Sequence, residues 1–178
     1  YALARFILDP LLPAAPGLPP LSRLRLPPQT QNGITAEVES YYADASRLVF
    51  KVRVEGEGYY LDNLSLTNSQ NEELNTGYSL FSPATDSSTF IIDMQPVSPL
   101  TETRLNGQLS FTVTSSSEGD SPVRFHFDLD VPVHPALTFE PKQSFVSQNG
   151  ITILLDRVVI TPSFTQAYLC YTKPSHAD

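Results

Sequence analysis

Gln31-Asn32-Gly33-Ile34-Thr35 returns letter for letter as Gln148-Asn149-Gly150-Ile151-Thr152, 117 positions later. Asn-Gly suits a tight turn, and Ile-Thr suits the first residues of a strand. Each copy opens a run of strand-like residues. The pentapeptide is therefore read as a marker that sets the phase of two β units, with no chemistry of its own.

Downstream of the first copy the hydrophobic period is two. Ile34, Ala36 and Val38 alternate with Thr35, Glu37 and Glu39. Leu48, Phe50, Val52 and Val54 alternate with Val49, Lys51, Arg53 and Glu55. Such alternation marks antiparallel strands with one buried face, joined here across a turn at 41–46. Glu37 and Glu39 can face Lys51 and Arg53 on the outer surface. Further strands are expected at 59–66, 78–81, 89–94 and 109–113. Val123, Phe125, Phe127, Leu129 and Val131 alternate without a fault against Arg124, His126, Asp128 and Asp130 until Pro132. About seven strands at roughly 8–12-residue spacing, with no long helical pattern, predict an immunoglobulin-like antiparallel β-sandwich.

The expected organisation has four parts. Residues 1–29 form a short helix and a Pro-rich spacer, since Leu3, Phe6 and Ile7 share a helical face and Pro10–Pro28 holds seven of the sixteen prolines. Residues 30–133 form the sandwich, and 134–142 a linker. Residues 143–178 form an incomplete second β unit, a hairpin expected to dock on the first domain of a monomer. Only 36 residues follow Lys142, too few for a second sandwich. The chain opens on tyrosine, so it is expected to belong to a longer protein.

A formal net charge of −8 and scattered basic residues argue against nucleic-acid binding. No apolar run reaches the ~18 residues of a membrane span. The single cysteine, Cys170, cannot form an intramolecular disulfide and reads as a small core residue.

Chemistry-bearing candidates are few. His126, Asp128 and Asp130 share one strand face and could form an acid–base pair or bind Ca²⁺, but a solvated sheet face is the expected meaning. The loop acids Asp44, Asp62, Glu118 and Asp120 could gather at one end of the sandwich, without any metal-ligand spacing to support them. No metal, cofactor or catalytic residue is expected. The pairs Tyr41-Tyr42 and Tyr59-Tyr60 lie near turns, where aromatics stack on sugars or anchor a protein. They are the candidate ligand-binding residues. Asn63-Leu64-Ser65 is a glycosylation sequon that only a secreted eukaryotic setting would use.

Asn32-Gly33-Ile34-Thr35-Ala36-Glu37-Val38, followed by Asp44-Ala45-Ser46-Arg47 and the partner run 48–54, resembles a bacterial domain family of unknown function. That family forms the extracytoplasmic part of membrane-anchored anti-sigma factors and related envelope proteins. Asn149–Leu155 followed by Val158–Ser163 resembles its second module, and YALARFILDP resembles segments just outside a membrane helix in such proteins. The resemblance implies a non-catalytic extracytoplasmic sensing or interaction domain, with its partner an unidentified protein or envelope ligand. Its membrane contact would run only through a segment outside this chain. A carbohydrate-binding or adhesin-like module is the alternative.

Overall fold

The computed structural model describes residues 2–8 (backbone only), 20–83, 86–116, 121–146 and 151–172. The chain forms two compact units, Leu18–His134 and Tyr1–Gly17 with Pro135–Asp178. Among the described residues all regular elements are strands, and every named pairing is antiparallel.

The larger unit is an antiparallel β-sandwich. Strands β4 (Ile34–Ala43), β5 (Leu48–Val54), β8 (Thr89–Pro96) and β7 (Asn75–Phe81) form one sheet in the order β4-β5-β8-β7. The short strands β2 (Ser22–Arg23) and β3 (Gln29–Gln31) pair with the outer edge of β4. The second sheet is β10 (Val123–Pro132), β9 (Arg104–Ser115) and β6 (Tyr59–Asn68), in the order β10-β9-β6. Taken in chain order, four strands against three with these neighbours is the arrangement of an immunoglobulin constant-type sandwich. The inward residues of both sheets make one core, with Phe50, Phe111, Phe125 and Phe127 among its largest fully buried side chains. Each such ring contributes roughly 1.5–3 kcal/mol by leaving water. Phe111 stacks against Phe125 and Phe127, at 5.8 Å between centroids in each case.

Two irregularities explain where sequence alternation fails. Between Val38 and Ser40 the β4–β5 register slips by one residue. The bulge at Glu39 reverses the phase, so β4 runs on through the expected turn to Ala43. Tyr41 then packs toward the core and Tyr42 away from it. A second slip between Asp62 and Ser65 coincides with Asn63 at φ 49°. It lets Leu61, Leu64 and Leu66 all face inward despite their uneven spacing. Asn63 itself is exposed.

The first Asn-Gly is a two-residue hairpin loop. Gln31 pairs with Ile34, and Asn32 and Gly33 have φ of 51° and 80°. Two successive positive φ values are the type I′ signature, whose twist matches that of the flanking strands. Leu24 and Leu26, from the end of the Pro-rich run, pack against the core.

The smaller unit is a five-stranded sheet built on β13 (Thr152–Ile160) and β14 (Thr165–Thr172). β11 (Leu137–Phe139) and β12 (Gln143–Val146) pair with β13, so the expected linker 134–142 contains a short strand. The expected N-terminal helix is instead strand β1 (Ala2–Leu8), antiparallel to β14. Seven residues are short for a helix, and a run such as ARFIL fits either period until a partner edge decides. Ala2–Leu8 thus belongs with the C-terminal strands, while most of the expected Pro-rich spacer, residues 9–19, lies outside the described residues.

The two units share one hairpin at a constant offset of 117 residues. Ala36↔Val54, Val38↔Val52, Ser40↔Lys51 and Ala43↔Leu48 recur as Ile153↔Tyr171, Leu155↔Leu169, Arg157↔Tyr168 and Ile160↔Thr165. The bulge recurs at Asp156, where Glu39 stood. Even the flanking strand repeats, Ser22↔Tyr41 becoming Phe139↔Val158. The second Gln148-Asn149-Gly150 lies outside the described residues.

Two glycines test this reading. Gly33 has open space around it, so Gly33→Ala should cost only the backbone strain of a positive φ, about 1–2 kcal/mol. A Cβ on Gly107 would run into the Thr67 carbonyl oxygen of the neighbouring strand. Gly107→Ala should therefore cost more than Gly33→Ala in urea denaturation, because two paired strands must separate.

Candidate functional site

The four candidate tyrosines fall at opposite ends of the sandwich. β5 runs from Leu48, beside Ala43, to Val54, beside Ala36. Tyr41 and Tyr42 therefore lie at its start, while Tyr59 and Tyr60 begin β6 at its far end, opposite Ser115 and Thr114. Seven residues of strand separate the pairs by roughly 20 Å. They form no common platform.

Tyr42 is a structural residue. It is buried, stacks on His134 at 5.7 Å, and donates its hydroxyl to Asp44 Oδ2 at 2.7 Å. Asp44 is itself fully buried. Its Oδ1 accepts from the backbone N–H groups of Ser46 and Arg47, both at 2.8 Å. The side chain thus closes the β4–β5 turn as an Asx cap. Arg47 leaves that turn to clasp Asp93 of β8, with Nη2 2.6 Å from Oδ2 and Nε 3.0 Å from Oδ1. These charge-assisted bonds hold the guanidinium above its ordinary pKa, against the opposing effect of burial. His134 closes the arrangement by donating its N–H to the Ala43 carbonyl at 2.9 Å. The Asp44-x-x-Arg47 step is a turn clamp that ties three strands and the end of the domain together.

At the opposite end, Tyr59 and Tyr60 divide. Tyr59 is half-buried and covers Gly56, whose added Cβ would stand 2.9 Å from its ring. Together with Asn32, Gly33, Ile34, Ser121 and Val123 it lines an open hollow of about 320 Å³. Tyr60 is exposed.

His126, Asp128 and Asp130 do occupy one outward strand face, but they bond sideways. His126 Nδ1 lies 2.8 Å from Ser110 Oγ, Gln108 Nε2 donates to Asp128 at 2.8 Å, and Arg104 Nε donates to Asp130 at 2.7 Å. Alternate strand residues stand about 6.5–7 Å apart, so this is a ladder of cross-strand pairs rather than a converging centre. The hydrogen bond from Arg104 holds the exposed Asp130 carboxyl below the usual carboxylate range. Among the described residues no group of three or more His, Cys, Asp or Glu could hold a metal ion. Asp44 and Asp62 lie at opposite ends of the sandwich, while Glu118 and Asp120 fall outside the described residues. Cys170 is a free, half-buried thiol on β14.

Two surface features escaped the sequence reading. A cleft of about 190 Å³ opens beside Arg104, lined also by Asn68, Gln70, Leu74, Leu100, Glu102 and Asn106. Its residues come from three segments far apart in sequence, so no local motif marks it. The other feature is β7, the terminal strand of its sheet, which exposes Tyr78 and Phe81. Alternation showed a strand there but not that it would be an edge.

No family model and no curated protein matches the chain. Among solved structures it is similar to a conserved domain protein from Bacillus anthracis, with 12 % identity and a TM-score of 0.54. That likeness covers 80 % of this chain and 52 % of the other, so the chain spans about half of that protein's length, and it is a likeness of fold. A DUF4426 family protein from Pseudomonas aeruginosa PAO1 aligns at 10 % identity and a TM-score of 0.43, over 60 % of this chain and 96 % of that one.

The turn clamp gives a sharp stability prediction. Asp44→Ala removes the acceptor of the Ser46 and Arg47 N–H groups and of the Tyr42 hydroxyl, and should cost about 3 kcal/mol in chemical denaturation. Asp44→Asn keeps an acceptor and should cost less. A pH prediction concerns Asp86, whose carboxylate accepts from Ser88 Oγ and Thr89 Oγ1 at 2.6 Å each and from the Ser88 N–H at 3.0 Å. These bonds lower its pKa from 3.8 to about 2. A depressed folded-state value adds stability that is fully present above about pH 4 and is lost as pH falls through about 2. An NMR titration should place the Asp86 carboxyl near 2, and Asp86→Asn should flatten the acid limb of the stability profile over that window.

Proposed function

We propose that this chain is a non-catalytic, extracytoplasmic interaction domain of a membrane-anchored bacterial envelope protein, of the kind found in anti-sigma factors and related proteins, and that it contacts a protein partner along the edge of β7. The envelope setting rests on the resemblance of Asn32–Val38, Asp44–Arg47 and the second module to that family. The observation that carries the interaction reading is the β7 edge. A terminal strand offers unpaired backbone donors and acceptors to an added strand, and β7 sets an exposed Tyr78 and Phe81 beside them. The lateral pairing of His126, Asp128 and Asp130 supports a non-catalytic role, since each polar group is engaged by a neighbour on the sheet.

A photo-crosslinking residue at position 78 of the full-length protein, expressed in its own cell, tests this. An adduct at 78 that is missing when the probe stands at Glu37, on the outer face of β4, is the expected result. Protease added from outside the cytoplasmic membrane should also cut the domain. Equal labelling at both positions, or protection from external protease, would count against the proposal.

A carbohydrate-binding reading has one observation in its favour, the hollow lined by Tyr59 next to exposed Tyr60. On a glycan array, Tyr59→Ala and Tyr60→Ala should then abolish binding while Tyr41→Ala leaves it intact. A wild-type chain that binds no glycan ends that reading.

A further inference from the structure

The sheet of the smaller unit has an apolar face whose counterpart in the larger unit is buried core. Cross-strand partners share a face, so Ile153, Leu155, Val158 and Ile160 of β13 stand with Tyr171, Leu169, Ala167 and Thr165 of β14. Leu137 and Phe139 of β11 and Gln143 and Phe145 of β12 join them. No charged residue falls among these twelve.

At the 117-residue offset, Ile153, Ile160 and Tyr171 correspond to Ala36, Ala43 and Val54. The sandwich residues are 0 %, 1 % and 0 % exposed, whereas their counterparts are 38 %, 43 % and 40 % exposed. Leu137, Phe139 and Phe145 are more exposed still. In the larger unit, β6, β9 and β10 cover this face. β1 already holds the position that β8 holds in the sandwich. Leu8↔Thr165 and Leu3↔Cys170 match Met94↔Leu48 and Thr89↔Arg53 at the same offset. What the smaller unit lacks among the described residues is the facing sheet.

We propose that this face is the inner face of a second immunoglobulin-like domain, closed by a sheet of the β6-β9-β10 kind that the polypeptide C-terminal to β14 supplies. Three observations select that occupant. The hairpin repeats the register, bulge and flanking strand of one whose face is closed by later strands of its own chain. The chain leaves β14 where, at the same offset, it leaves β5 to cross into β6. The face is uncharged, as the inner face of a sandwich must be.

The test compares the 178-residue chain with the natural protein extended beyond Asp178 by a stretch as long as Tyr59–Pro132. Hydrogen exchange of the β13 and β14 amides should slow by about tenfold or more in the longer chain. Ile153→Asp should unfold the second domain of the longer chain and leave the melting of Leu18–His134 unchanged. The shorter chain should be monomeric by light scattering and indifferent to Ile153→Asp.

Three results would overturn the proposal. One is a dimer of the shorter chain that Ile153→Asp dissociates, which would make a second copy the occupant. Another is equal exchange in the two chains. The third is a natural protein that ends too soon after β14 to supply a sheet.

Discussion

A β-sheet of this kind has one apolar face that must leave water, and a single sheet cannot hide it. The sandwich meets this constraint by setting β4-β5-β8-β7 against β6-β9-β10, so that Phe50, Ile92 and Met94 from one sheet share a core with Leu66, Phe111 and Phe127 from the other. The remaining features of the larger unit serve that apposition. The bulges at Glu39 and Asn63 rephase strands so that their apolar residues keep facing inward. Gly107 removes a side chain where β9 passes β6 too closely for a Cβ. The turn clamp at Asp44 fixes the end of the hairpin on which one sheet is built. None of these would matter to an isolated strand.

Where alternation is unbroken, the fold was plain from sequence. β10 was readable to within one residue because Val123 to Val131 contains no bulge and its inward and outward residues contrast strongly. β6 was harder. A left-handed Asn63 shifts Leu64 into phase with Leu61, and side-chain identity does not report a backbone slip. β1 was misjudged for another reason. Its pairing with β14 joins residues over 150 positions apart, and nothing within YALARFIL favours that strand over a helical turn. Local pattern carries local contacts, and long-range pairing overrides it where the two disagree.

The candidate site was less legible. Tyr41-Tyr42 and Tyr59-Tyr60 look equivalent in sequence, each pair beside a turn. The intervening strand carries the chain from one end of the sandwich to the other, and adjacency in sequence says nothing of that. Within each pair the bulge phase and the loop path decide which ring packs inward. Asp44 posed the opposite difficulty. As a loop acid it reads as one of a set that could gather at one end of the sandwich, yet it is fully buried, because a short turn between two core strands leaves its backbone N–H groups in need of an acceptor.

The repeated hairpin separates what the backbone requires from what a particular side chain supplies. Across the 117-residue offset the register and the bulge persist. So does the turn bond, Asp44 N–H to the Arg47 carbonyl in one copy and Thr161 N–H to the Phe164 carbonyl in the other, both at 2.9 Å. The side-chain acceptor changes. Asp44 Oδ1 receives the Arg47 N–H, while Thr161 Oγ1 receives the Phe164 N–H at 3.2 Å. A hydroxyl is a weaker acceptor than a carboxylate, and Phe164 cannot repeat the clasp that Arg47 makes on Asp93. The geometry therefore belongs to the hairpin, and the clamp belongs to the copy whose neighbouring strand offers a carboxylate, Asp93 beside Val49, where β1 has Ile7 beside Gln166. An acid and a base three residues apart at this turn mark a hairpin locked into its sheet. Their replacement by Thr161 and Phe164 leaves the second hairpin tied to its sheet by backbone pairing with β1, β11 and β12.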